Sequence, residues 1–371
     1  MKIDTFKIEE WMNKYCSSAQ YDLTSTCIQP MSIRELLSIS SVENPWEILD
    51  TKLTYGEIQG SQRLKNAIKS LYINQDLKNI TITHGGIGAN QLVFESLVEK
   101  GDDVITFLPT YQQLYSIPKA LGANVKLLYL REEANWLPNL KELENSITKR
   151  TKLICLNNPN NPTGAVIPED MLQRIVDIAK ENNIWILSDE VYRGLNLVGK
   201  PYSSSIADLY EKGISIGSMS KTYSLPGLRV GWICAREDLT AEIIKHREYN
   251  TISISTLDDY FAAIAIENKN IIAQRNFQIM RAGYQVLKDW LNGEIYIKAN
   301  LPQGGTTALL RYKKDVSSKF LCKNFQAKTG IALLPGETMD MEGTVRVGFC
   351  VDSEVLKMCL KQFSKYLRTI E

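Results

Sequence analysis

Leu153-Ile154-Cys155-Leu156-Asn157-Asn158-Pro159-Asn160-Asn161-Pro162-Thr163-Gly164 is a short apolar run that stops abruptly in amides and prolines. The same pattern returns in Ile184-Trp185-Ile186-Leu187-Ser188-Asp189-Glu190-Val191-Tyr192. Between the two, residues 168–181 read as an amphipathic helix, with Pro168 suited to a first turn and Ile175, Ile178 and Ala179 on one face. Short apolar runs joined by such a helix predict parallel strands buried on both faces.

Working outward, further strand-like runs occupy residues 80–83, 104–108, 125–130, 214–216 and 230–234, and Leu64, Ile68 and Leu71 mark a helical stripe over 62–72. The expected fold class is therefore α/β: a mainly parallel, mixed, seven-stranded sheet sandwiched by helices. The last part of the chain has longer helical stretches and few strands, at 306–311 and 344–349, which predicts a smaller α/β C-terminal domain. The expected division is an N-terminal segment (1–40) packing on the small domain, a large domain (41–257) and a small domain (258–371). No repeat or low-complexity tract interrupts it.

Composition narrows the classes of function. With 371 residues, 44% hydrophobic and 23% charged, the chain has ample core for about two domains. Its 43 basic and 42 acidic residues give a net charge of +1, so no bulk charge favours nucleic acid or an anionic membrane. No apolar run suits a signal peptide or a membrane span, so a cytoplasmic location is expected. The seven cysteines are scattered without CxxC spacing and read as reduced thiols rather than a disulfide framework, and with two histidines no metal site is expected.

In open α/β sheets ligands bind beyond the carboxyl ends of the strands, so the residues following each strand matter most. His84-Gly85-Gly86-Ile87-Gly88-Ala89-Asn90 is a glycine-rich turn opening a helix, where free N–H groups suit a phosphate, although a plain tight turn serves equally. It fails as a dinucleotide fingerprint, because no third small residue follows where that motif needs one. Tyr111, in Pro109-Thr110-Tyr111-Gln112-Gln113-Leu114-Tyr115, reads in isolation as a core tyrosine, and Asp189 equally as a helix cap. Lys221 stands in Gly217-Ser218-Met219-Ser220-Lys221-Thr222-Tyr223-Ser224-Leu225-Pro226-Gly227-Leu228-Arg229-Val230-Gly231. A lone loop lysine is usually solvated; this one follows a strand whose neighbours end in an acid, an amide cluster and a glycine turn.

Asn158-Pro159-Asn160-Asn161-Pro162-Thr163-Gly164, Ser188-Asp189-Glu190-Val191-Tyr192 and Ser218-Met219-Ser220-Lys221 with Arg229 resemble, in order and spacing, the fold type I pyridoxal phosphate enzymes, specifically class I/II aminotransferases. The resemblance runs over residues 55–346. It implies pyridoxal 5′-phosphate as cofactor, held as a Schiff base by Lys221, whose amine also shuttles the substrate Cα proton. It implies that Asp189 pairs with the pyridine nitrogen, that Asn161 and Tyr192 bond the ring's phenolic oxygen, and that Tyr111 stacks on the ring. Ser218, Arg229 and the N–H groups of Gly86 and Ile87 are implied at the phosphate. Arg346, in Thr344-Val345-Arg346-Val347-Gly348, matches the arginine that clamps the substrate carboxylate, with Asn161 beside it. Tyr55 matches a tyrosine that reaches the site from a partner subunit, which implies a homodimer. The implied activity is transfer of an amino group from an L-α-amino acid to a 2-oxo acid.

Two departures bear on specificity. Ile87 stands where many relatives have serine or threonine, and Tyr21-Asp22-Leu23-Thr24-Ser25-Thr26-Cys27-Ile28 lacks the usual glycine-containing segment. This stretch, with 109–115 and 220–227, looks most like a subgroup that contains capreomycidine synthase, which uses the same cofactor on a hydroxylated arginine for elimination and ring closure. The alternative activity is thus an elimination or cyclisation on an arginine-like amino acid. In that case Asp258 and Asp259 are candidates to receive a cationic side chain, although paired carboxylates at a helix start are more often caps.

Overall fold

The computed structural model describes residues 2–40, 44 and 46–370. After a two-residue strand β1 (Tyr21–Asp22), the chain lays down β2 (Ile80–His84), β3 (Asp103–Leu108), β4 (Asn124–Tyr129), β5 (Thr151–Asn157), β6 (Trp185–Asp189), β7 (Gly213–Ser218) and β8 (Val230–Cys234). Strands β2 to β8 form one seven-stranded sheet in the order β2-β8-β7-β6-β5-β3-β4. From β4 to β7 every pairing is parallel, whereas β8 runs antiparallel to both β7 and β2.

Side chains alternate faces along these strands. Leu153, Cys155 and Leu187 pack with Val93, Phe94 and Ile243 in one apolar cluster. Ile154, Leu156 and Ile186 pack with Leu172, Ile175 and Ile178 in another. Burial on both faces explains the unbroken apolar runs. The helix after β5 spans Glu169–Glu181, one residue later than expected, with Pro168 as its extended N-cap. The stripe over 62–72 forms the helix Gln62–Lys69, which ends before Leu71; Ser61 caps it by accepting the Leu64 N–H at 3.0 Å.

The second lobe holds β9 (Ile297–Lys298), β10 (Thr307–Tyr312), β11 (Ile331–Ala332), β12 (Leu334–Pro335) and β13 (Thr344–Gly348). Four of these form an antiparallel sheet, β12-β13-β10-β9, while β11 pairs in parallel with β1. The expected boundary at 258 falls inside the helix Thr256–Glu267, whose Phe261 shares a cluster with Ile68, Ile80 and Trp232 of the large sheet's side. The junction expected between 40 and 41 lies outside the described residues.

The N-terminal segment touches both lobes. Trp11 donates to Leu333 O at 3.2 Å, Leu23 N to Ala332 O at 3.1 Å, and Gly348 N to Leu23 O at 2.7 Å. On the other side, the Lys7 N–H donates to Gln112 Oε1 at 2.9 Å and Gln112 Nε2 to Thr5 O at 2.8 Å. Gly348 has to be glycine, because a Cβ there would sit 2.0 Å from Ser25 O.

Candidate active site

A cavity of about 520 Å³ opens at the carboxyl ends of the strands, between the large sheet, the N-terminal segment and β13. Its lining includes Gly86, Ile87, Tyr111, Asn161, Asp189, Tyr192, Ser218, Lys221, Arg229 and Arg346. Of the residues implied for the cofactor and the substrate carboxylate, Tyr55 alone does not line the cavity of its own chain; it is 80% exposed.

Asp189 ends β6 and is buried. Its Oδ2 accepts from Asn90 Nδ2 at 2.9 Å and its Oδ1 from the Val191 N–H at 3.3 Å. Burial pushes the carboxyl's pKa up, and those two donors with the Lys221 charge pull against it. The carboxyl is therefore buried, held by two hydrogen-bond donors, and in no salt bridge among the described residues. Asn90 was not anticipated from sequence; it follows Gly86 by one turn in the helix Gly85–Leu97, which places both at the same opening.

The amide cluster after β5 divides its work. Asn157 Nδ2 donates to Asp189 O at 3.0 Å, Asn158 Oδ1 accepts from the Ile167 N–H at 2.9 Å, and Asn160 Oδ1 accepts from Thr163 Oγ1 at 2.7 Å. These three side chains fix the turn. Asn161 instead faces Arg346, whose Nη1 donates to Asn161 Oδ1 at 3.1 Å while Nη2 donates to Thr24 O at 2.7 Å. Arg346 is 1% exposed, its Nε has no partner, and burial lowers its pKa despite Tyr192, Asp22, Glu9 and Tyr111 around it. An orphaned buried guanidinium N–H at a cavity wall suits a carboxylate.

At the other end, no side chain caps the helix Gly85–Leu97, so its first N–H groups are free for an anion. Gly85 has φ +67°, and a Cβ there would lie 2.8 Å from Arg229 Nη2. Arg229 sits in left-handed backbone (φ +52°) and donates to Pro226 O at 2.7 Å. Ser218 Oγ lies 3.0 Å from Ser220 Oγ and accepts the Ser220 N–H at 3.1 Å. Tyr111 stacks obliquely on Phe6, ring centroids 5.2 Å apart, and burial pushes its hydroxyl pKa upward. Lys221 Nζ donates to Thr26 Oγ1 at 2.5 Å.

The structure places the paired acids outside this cavity. Asp259 accepts from the Ser61 N–H at 2.8 Å and from Ser61 Oγ, so it supports a helix cap. Neither Asp259 nor Asp258 lines the cavity. Two other carboxylates do, Glu9 and Asp22, both from the N-terminal segment and both missed from sequence. Among the described residues no cluster of metal-ligating side chains occurs, all seven cysteines are free thiols, and no helix is long and apolar enough to cross a membrane.

Comparison with known proteins completes the description. Residues 43–363 match the family described as aminotransferase class I and II. The sequence is similar to capreomycidine synthase of Streptomyces vinaceus, 28% identical over 98% of this chain and 93% of that protein. It is also similar to aspartate aminotransferase of Sulfolobus acidocaldarius, 30% identical over 85% of this chain and 82% of that one. The crystal structure of a PLP-dependent aminotransferase from Streptococcus suis superposes with a TM-score of 0.96 at 39% identity, covering 100% of this chain and 99% of that chain.

Proposed function

Because the chain belongs to the class I and II aminotransferases, fold type I enzymes that use pyridoxal 5′-phosphate, we propose that it moves the amino group of an L-α-amino acid to a 2-oxo acid. One observation carries the reading: an amine (Lys221), a buried acid (Asp189) and a buried guanidinium with a spare N–H (Arg346) line a single cavity. Residues fit the cofactor at each end. Asp189 is in no salt bridge among the described residues, a place that a protonated pyridine would fill, and the uncapped start of the helix Gly85–Leu97 beside Arg229 offers N–H groups to a phosphate.

When bound, the cofactor supplies a carbonyl for amines and a ring that accepts the electron pair left at the substrate Cα. Lys221 would hold the cofactor and its amine would carry the Cα proton. Asp189 would keep the ring nitrogen protonated, and Asn161 and Tyr192 would bond the phenolic oxygen. Tyr111 would cover the ring face, while Ser218, Arg229 and the Gly86 and Ile87 N–H groups would hold the phosphate. Arg346, steadied by Asn161 and Thr24 O, takes the substrate carboxylate.

A homodimer completes this reading, with Tyr55 entering the partner's cavity. Leu53, Tyr55, Ile58, Tyr249 and Ile252 are exposed apolar residues, and buried Arg247 binds Ile58 O and Ile252 O, tying their two segments together. The scattered free cysteines support the reading that it acts in the reducing cytoplasm.

A second reading, elimination or cyclisation on an arginine-like amino acid, is favoured by the near full-length similarity to capreomycidine synthase and by Glu9 and Asp22 in the cavity wall. The two diverge in stoichiometry. Incubated with amino acid and no oxo acid, an aminotransferase releases one equivalent of oxo acid per site and stops. Multiple equivalents of product without an acceptor would sink amino transfer.

A further inference from the structure

Lys221 has a neighbour that cofactor binding alone does not explain. Its Nζ is 2.5 Å from Thr26 Oγ1 and 3.4 Å from Cys27 Sγ. Thr26 is itself held in place. Thr306 Oγ1 donates to Thr26 O at 2.8 Å, Thr24 O accepts from Arg346, and Ser25 O is packed over Gly348. The hydroxyl thus stands at a fixed point opposite a long, flexible side chain that loses rotamer freedom when ordered. A hydroxyl also accepts from an ammonium and donates to a neutral amine. A lysine that shuttles a proton alternates between those two states. A backbone carbonyl would serve one of them; a threonine serves both, and its β-branch limits where the oxygen points.

We propose that Thr26 is a positioning residue for Lys221, holding the amine in the steps where the lysine is free. The inference rests on the role given to Lys221 above. In the step it serves, the Cα–H bond breaks, the proton joins the Nζ lone pair, and the electron pair stays with the substrate and its cofactor. Thr26 keeps Nζ in one place until the proton is returned.

The test compares holoenzymes of Thr26→Val, Thr26→Ser and wild type, each checked for an unchanged melting temperature and visible spectrum. Thr26→Val lowers the single-turnover rate about tenfold, in line with loss of one hydrogen bond to a charged group, with little change in KM; Thr26→Ser restores it. A second readout does not involve turnover. 2-Aminoisobutyrate displaces Lys221 from the cofactor but has no Cα proton, so its spectral titration measures how well the freed amine is accommodated. Thr26→Val weakens that equilibrium about fivefold, the worth of an ordinary hydrogen bond. If Thr26→Val leaves both readouts unchanged, or if Cys27→Ala produces the losses that Thr26→Val does not, the assignment is overturned. The underlying reading fails separately: a borohydride-fixed label that persists in Lys221→Ala removes the lysine itself, whatever Thr26 does.

Discussion

The two walls of the cavity are built differently. On the sheet side, Asp189 and Ser218 are the last residues of β6 and β7, and Asn161, Tyr192 and Lys221 follow their strands by a few positions. Each is placed by the strand before it. On the facing side, Glu9, Asp22 and Thr26 come from a segment held by distant partners: β11, Gly348, Thr306 and Gln112. The sheet wall carries the groups proposed to hold the cofactor; the facing wall carries two carboxylates, Glu9 and Asp22, and the Thr26 hydroxyl.

That division can be broken by experiment. Lys221→Ala is expected to have the largest effect, lowering the single-turnover rate by about 10³-fold or more, as loss of an acid–base group and nucleophile implies. A rate within tenfold of wild type would remove the sheet wall's claim to the chemistry. Arg346→Lys keeps the charge but loses the planar fork, and KM is expected to rise about 10- to 100-fold with a smaller change in kcat.

Glu9→Gln with Asp22→Asn is expected to weaken binding of arginine or lysine about tenfold, one or two charge-assisted contacts, while neutral amino acids bind as before. Asp22→Asn retains the Oδ1 that accepts the Thr24 N–H at 2.7 Å, so the segment stays in place. Equal losses for neutral and basic amino acids would mean that this wall is structural.

The smallest effect is on stability. Asp189 has a raised pKa in the folded, cofactor-free protein, so its contribution is fully present below the ordinary carboxylate value and is lost as pH rises through the raised one. Cofactor-free Asp189→Asn is therefore expected to melt higher than wild type above about pH 4, with the gap closing below it. Adding pyridoxal phosphate should reverse the order. Thermal scans of both proteins across pH check this.

The sheet wall was legible because short apolar runs ending in glycine, amide or acid are local signals. Asn90 was not, since a polar residue inside the helix Gly85–Leu97 reads as an ordinary surface position until Asp189, 99 residues away in sequence, is packed against it. Thr26 and Lys221 are 195 positions apart, and no periodicity links them. The excess of amides at 157–161 was visible, and the resemblance implied Asn161 beside Arg346, but not that the other three side chains fix a turn. Asp258 and Asp259 misled for the opposite reason: adjacent charges stand out in a sequence, whereas Asp259 is committed to Ser61. The helix Thr256–Glu267 crossed the expected boundary because its apolar face fits the large sheet's cluster, a preference that composition does not reveal.

The antiparallel pairing of β7 with β8 has one more consequence. Ser218 is registered against Gly231, so the loop between them starts and ends at adjacent points of one ladder. Lys221 and Arg229 both lie in that loop, one proposed for the carbonyl end of the cofactor and the other for its phosphate. The loop therefore works as a caliper set to the length of a single small molecule. Adding or removing one residue within it moves one jaw and leaves the other where the ladder holds it, so a change in its length should weaken cofactor binding.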